Sequence, residues 1–179
     1  VRHAAFLRGV NISGRVLKMD ALRAHLTAIK LRDVETLIAS GNVIFSSTST
    51  NAAALEKRIE AKLEEALGYH VRTFVRSETE IAALAKLEPF TPARHKTATV
   101  HLVGFIEAPL DTAAMKTLAS WCSKESDLLA RGRELFWLCQ VGQGASELFR
   151  VPMEKRLGTS ITWRNMNTVR RIADRFAKG

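Results

Sequence analysis

A chain of 179 residues, 46% hydrophobic and 25% charged, carries enough apolar material to bury a core as one domain or two small ones. Its longest apolar stretch, around Val100 to Ile106, is far too short to span a bilayer, so no membrane partner is expected. The net charge of +9 is uneven: residues 150–179 hold 8 basic and 2 acidic side chains, which draws attention to phosphates, nucleic acid or acidic partners.

The start, Val1-Arg2-His3, runs directly into strand-like sequence without a signal-peptide pattern. Cys122 and Cys139 lack metal-ligand spacing and read as reduced, partly buried thiols, which fits a cytoplasmic location.

Residues 3–10 read as a first strand, with Phe6, Leu7 and Val10 as its apolar bulk. A loop from Asn11 to Lys18 leads to a helix of about Met19 to Lys30, whose Leu22, Leu26 and Ile29 form one stripe. Strands at Val34–Ala39 and Val43–Ser47 flank Ser40-Gly41-Asn42, a tight hairpin signal. Asn51 caps a helix striped by Leu55, Ile59 and Leu63 and stopped at Gly68, and Val71 to Arg76 is a fourth strand. The order β-α-β-β-α-β is that of a ferredoxin-like fold.

Ser77 and Glu80 then form a capping box for a helix carrying Ile81, Leu84 and Leu87. Phe90-Thr91-Pro92-Ala93 reads as a linker, which gives an α+β subdomain of residues 1–89 and a second of residues 90–179. The second repeats the plan more loosely. A strand over Thr97–Ile106 precedes a helix capped by Asp111, with Met115, Leu118 and Cys122 on one side. Leu128-Leu129-Ala130 and Leu135–Cys139 flank a hairpin at Arg131-Gly132-Arg133-Glu134. A helix over Glu147–Leu157, broken near Pro152, ends at Gly158; Ser160-Ile161-Thr162 is extended, and Asn165 starts a last helix striped by Val169, Ile172 and Phe176.

Three segments carry a shared pattern: Phe6-Leu7-Arg8-Gly9-Val10-Asn11, Ser40-Gly41-Asn42-Val43-Ile44-Phe45 and Thr162-Trp163-Arg164-Asn165-Met166-Asn167-Thr168. Together they resemble the uncharacterised bacterial family called domain of unknown function 1697. Lys18-Met19-Asp20-Ala21-Leu22-Arg23 and Leu157-Gly158 follow that family's pattern in order. The resemblance implies a small soluble α+β protein with a ferredoxin-like first part and no established activity. Where the family usually carries a Ser-Lys pair near the penultimate helix, this chain has Ser146-Glu147, which removes the lysine an anion-binding role would use there.

The residues themselves offer a candidate site for a phosphate- or carboxylate-bearing ligand. Arg8 ends a strand, and its planar fork of donors suits bidentate binding of such a group. Asn11 follows it; Ser40 and Asn42 are placed beside it, because strands 1 and 3 of a ferredoxin-like sheet are antiparallel neighbours. Arg164, Asn167 and Thr168 add a guanidinium, an amide and a hydroxyl at a helix start. The competing reading makes these motifs turns and caps, since Gly and Asn accept positive φ and Asn165 can cap. Gly9 and Gly14 do not form a phosphate loop, because Arg15 and Val16 stand where Lys and Ser/Thr are needed. Gly142-Gln143-Gly144 likewise fails the dinucleotide fingerprint, with Glu147 in the place of the third glycine.

Catalysis lacks its usual groups, since none of the three clusters holds His, Asp, Glu, Lys, Tyr or Cys. Ser40 would act as a nucleophile only beside a base, for which His3 and His101 are the candidates. The histidines form no paired metal motif, so neither metal nor cofactor is expected. Nucleic acid is the alternative ligand, held through Arg164, Arg170, Arg171, Arg175 and Lys178, with Phe6 and Phe45 as the stacking residues.

Overall fold

Ala4-Ala5-Phe6-Leu7 leaves no polar face to turn outward, and β1 (Arg2–Leu7) is accordingly a central strand, buried from His3 to Leu7. The computed structural model describes residues 1–38 and 41–179. In it β1 pairs antiparallel with β3 (Asn42–Ser46) on one side and with β4 (Thr73–Ser77) on the other. With β2 (Arg32–Thr36) outside β3, the sheet order is β2-β3-β1-β4. The β2 register slips between Arg32 and Glu35, where Asp33 takes φ 51°.

The helices α1 (Met19–Ala28) and α2 (Ala52–Leu67) complete the expected β-α-β-β-α-β order. Leu22 and Leu26 of α1 and Leu55, Ile59 and Leu63 of α2 pack with Ala5, Leu7, Val43, Phe45 and Val75 on one sheet face. The Asn51 Oδ1 accepts from Ala54 N at 3.0 Å, and Gly68 ends α2 at φ 76°.

Two glutamates on α2 do something an amphipathic pattern hides. Glu56 and Glu60 lie one turn apart and are buried. Their carboxylates accept from the backbone N–H groups of Val75 at 2.8 Å and Thr73 at 2.9 Å, on the outer edge of β4. The next outward N–H, of Ser77, donates to Glu80 at 2.7 Å, inside the expected capping box of α3 (Glu78–Ala85). Three carboxylates thus occupy the positions a further strand would take. Arg76, itself fully buried, lies 3.9 Å from Glu56, and Arg72 lies 3.8 Å from Glu60, so the buried charges are compensated.

His3 shares the α-helical face of β1 and stacks on Phe45 at 5.5 Å between ring centroids. Its Nε2 donates to the Ser49 carbonyl at 3.1 Å, while Nδ1 is buried with no hydrogen bond among the described residues. Burial lowers its pKa, an effect the Ser49 bond only partly opposes.

Residues 86–167 form a second unit with its own sheet, β6-β7-β5-β8, built from β5 (Val100–Phe105), β6 (Ser126–Arg131), β7 (Glu134–Cys139) and β8 (Thr162–Asn165). On one face, Leu102, Leu128, Leu135, Trp137 and Cys139 pack with residues of α5 (Thr112–Ser120) and α6 (Met153–Leu157). Gly104 in β5 is required by close packing: a Cβ there would lie 2.8 Å from Ile161 and 2.9 Å from the Trp163 ring. The fold is α+β in two similar halves, as expected.

Several local expectations shift. The segment read as a linker begins a helix instead, α4 (Pro92–Thr97), because Thr91 Oγ1 accepts from Arg94 N and Pro92 opens the helix. On α5 the buried pair is Ala114 and Leu118, whereas Met115 is 41% exposed and Cys122 lies beyond the helix. The break expected near Pro152 is present, with a 3-10 turn over Glu147–Arg150 before it and α6 after it. The extended piece lies at β8 rather than at residues 160–162, drawn there by pairing with β5. The last helix is α7 (Met166–Lys178).

From Thr168 onward, α7 belongs with residues 1–85 and not with 86–167. A single break at residue 89 therefore does not describe this partition. The helix is tied to its unit by Arg2, which donates to the Phe176 carbonyl at 2.7 Å and lies 4.7 Å from the Phe176 ring. Arg175 adds a bidentate pair to Glu35, with Nε 2.9 Å from Oε1 and Nη2 2.9 Å from Oε2.

Two outcomes are expected from this packing. Glu56→Ala and Glu60→Ala each leave a strand N–H and an arginine without their carboxylate, and urea unfolding should show a loss of about 1–3 kcal/mol for each. For His3, a lowered folded pKa means the unfolded chain binds the proton first. Stability should hold above pH about 6.5, fall as the pH drops through that value, and lose this dependence in His3→Phe.

Candidate functional site

The C-terminal end of β1 is fixed by its two neighbours. Leu7 N donates to Gly41 O at 2.8 Å and Arg8 N donates to Arg72 O at 2.8 Å. Beyond them the chain leaves the sheet, with φ 75° at Gly9, 57° at Asn11, 51° at Ser13 and 78° at Gly14. Val10 and Leu17 return to the core, at 4% and 3% exposure, so the loop between them is pinned at both ends. Its neck is closed by Leu17 N donating to the Asn11 Oδ1 at 2.6 Å.

The expected neighbourhood of strands 1 and 3 is present in the register, where Phe6 pairs with Asn42. Arg8 and Asn11 are exposed at this end of the sheet, along with Arg15 and Lys18. The Arg15 guanidinium lies 4.2 Å from the Tyr69 ring centroid. No acidic residue occurs from Arg8 to Met19, a run that holds Arg8, Arg15 and Lys18.

Asn42 has a different job from the one its chemistry suggested. It is 4% exposed, and its Nδ2 donates to the carbonyls of Leu37 at 3.2 Å and Ile38 at 3.4 Å. Its amide closes the hairpin rather than facing a ligand. Gly41 is needed in the same turn: it sits at φ 86°, and a Cβ would lie 2.9 Å from both the Leu7 carbonyl and the Val10 side chain. Ser40 lies outside the described residues.

The C-terminal candidates divide between the units, with Arg164 and Asn167 in the second and Thr168 in the first. Arg164 lies on β8 and not at a helix start. Its Nη1 donates to Thr162 Oγ1 at 2.8 Å and to the Trp163 carbonyl at 2.9 Å, and burial pushes its pKa down to about 10, leaving it a cation at neutral pH. Asn165 Oδ1 accepts from Asn167 N at 2.9 Å, which accounts for Asn165 as the turn into α7. Thr168 is half-buried in the first turns of that helix.

The proposed basic face is also partly committed. Arg175 pairs with Glu35, and the Arg170 Nε donates to the Ala85 carbonyl at 3.4 Å, whereas Arg171 and Lys178 are exposed. Phe6 and Phe45 are buried on opposite faces of the sheet and offer no ring for base stacking.

His3 is closed in the core at the far end of β1, about 17 Å from Arg8 at the usual strand rise. His101 lies in the second unit beside His95, with ring centroids 5.1 Å apart. Among the described residues, no group of three or more His, Cys, Asp or Glu is placed to hold a metal ion. Ser146, the residue before the departure from the family pattern at Glu147, is buried and caps the 3-10 turn by accepting from Leu148 N at 3.3 Å.

No curated protein matches the chain. Its fold is similar to the solved structure of the conserved bacterial protein SP0830 from Streptococcus pneumoniae, with a TM-score of 0.76, 25% sequence identity and 97% of each chain covered. The family model described as Protein of unknown function (DUF1697) matches residues 1–136, and the chain belongs to that family.

Proposed function

We propose that this protein binds a small anionic ligand, bearing a phosphate or carboxylate, at the loop that follows β1. The observation that carries the reading is the run from Arg8 to Lys18, which holds three exposed cations and no acid on a backbone pinned at Val10 and Leu17. Arg8 is the principal ligand group, because its donors stand where the central strand ends and its backbone is held by Arg72. Asn11 assists: its Oδ1 is spent on Leu17 N, and its amide NH2 group lies outside that bond. Gly41 and Asn42 support the site by building the hairpin beside it. Two unpaired cysteines, one in the core, favour the cytoplasm as the setting.

The test is thermal melting against inorganic phosphate and a small dicarboxylate. A saturating ligand should raise the melting temperature, and Arg8→Lys, which keeps the charge but loses the bidentate fork, should weaken binding by about 1.5–3 kcal/mol, or roughly 10–150-fold in Kd. An undiminished shift in both Arg8→Lys and Asn11→Ala would refute the site.

A further inference from the structure

The loop that carries Arg8 also exposes two aliphatic side chains. Val16 is 80% exposed and Ile12 54%, while their neighbours Val10 and Leu17 are buried in the core. The loop is held in shape by the bonds of Leu17 N to Asn11 Oδ1, at 2.6 Å, and of Arg15 N to Ile12 O, at 2.9 Å. Arg15 is further placed by the Tyr69 ring. Little ordering remains to be done when the tip meets a partner.

We propose that this loop docks the protein on an anionic membrane surface, with Ile12 and Val16 entering the headgroup region while Arg8, Arg15 and Lys18 meet lipid phosphates. The inference rests on the anion-binding reading of Arg8 and names the anion as a phospholipid headgroup. Charge complementarity supports it, since exposed Arg15 and Lys18 lie on either side of Val16 at the apolar tip. The apolar residues decide between surfaces. A side chain as exposed as Val16 stands clear of its own protein and suits a soft interface, whereas a protein partner would need a matching socket. Single-stranded nucleic acid is recognised by stacking on aromatic rings, and Ile and Val have none. No helix among the described residues is long and apolar enough to cross a membrane, and peripheral docking requires none. The expectation of no membrane partner rested on spanning length alone.

Co-sedimentation with vesicles of phosphatidylcholine, with and without phosphatidylglycerol, tests this. The protein should bind the anionic vesicles and bind them less as salt rises. Replacing both Ile12→Ser and Val16→Ser, with no change of charge, should weaken partitioning about tenfold or more. Arg15→Gln and Lys18→Gln should each cost about fivefold. Arg171→Gln and Lys178→Gln, at exposed positions of α7, should leave it unchanged. Absence of binding to anionic vesicles overturns the proposal, as does equal binding by the double serine variant or a loss confined to the α7 variants. Melting with inorganic phosphate separates the two readings. An Arg8-dependent phosphate shift without vesicle binding leaves the small-anion site and removes the membrane, and vesicle binding without a phosphate shift does the converse.

Discussion

Two backbone hydrogen bonds at one point set the geometry of the first unit. Leu7 N meets the Gly41 carbonyl and Arg8 N meets the Arg72 carbonyl, each at 2.8 Å, so both flanks of β1 are occupied where the strand stops. A chain in that position must turn out of the sheet, and it does so through left-handed residues at Gly9 and Asn11. The close approach also dictates Gly41, whose missing side chain leaves room for the Leu7 carbonyl and Val10. Exposure of Arg8 is therefore a consequence of strand register. The same turn places Val10 and Leu17 in the core, which keeps the loop from collapsing onto the sheet.

The outer edge of that sheet is governed by a related constraint. An edge strand presents unpaired N–H groups to any other chain. Along β4 they are taken by Glu60, Glu56 and Glu80 in succession. Burying carboxylates is costly unless each is hydrogen-bonded and compensated, and here backbone donors and Arg72 or Arg76 supply both needs to the two on α2. In the second unit a sulfur does a similar job. Cys122 Sγ lies 3.3 Å from both the N and the O of Leu128, on edge strand β6. Cys122, read from sequence as a partly buried thiol, is exposed and covers part of an edge.

Elements announced by local chemistry were legible. Asn51 and Gly68 bound α2, Ser77 and Glu80 make a reciprocal box, and Asp111 caps α5 through Ala114 N. What escaped was short or depended on distant partners. α4 has a clear Thr-Pro start but buries no residue, so no apolar stripe distinguishes it from a linker. β8 is four residues long and exists through pairing with β5, where Gly104 makes space for Trp163. Glu56 and Glu60 look like the solvent side of an amphipathic helix, and only the sheet edge beside them gives them a buried role. The three polar motifs were visible as chemistry, but their use was not: Asn42 spends its amide on Leu37 and Ile38, a commitment set by hairpin geometry that residue type alone does not encode.

That division of labour bears on whether the site reacts or only binds. Proton transfer needs a titratable group within hydrogen-bond reach of the reacting atom. Along β1 the nearest histidine is His3, closed in the core at the opposite end of the strand, about 17 Å away. Its low exposure and lowered pKa make it a neutral structural group. Arg164, on β8 of the second unit, is held by its own strand neighbours and stays a cation even after burial lowers its pKa. Exposed around the β1 loop are the guanidinium groups of Arg8 and Arg15, the Lys18 ammonium, the Asn11 amide and the Ser13 hydroxyl. The guanidinium, ammonium and amide N–H groups among them are donors, which suits them to an anion.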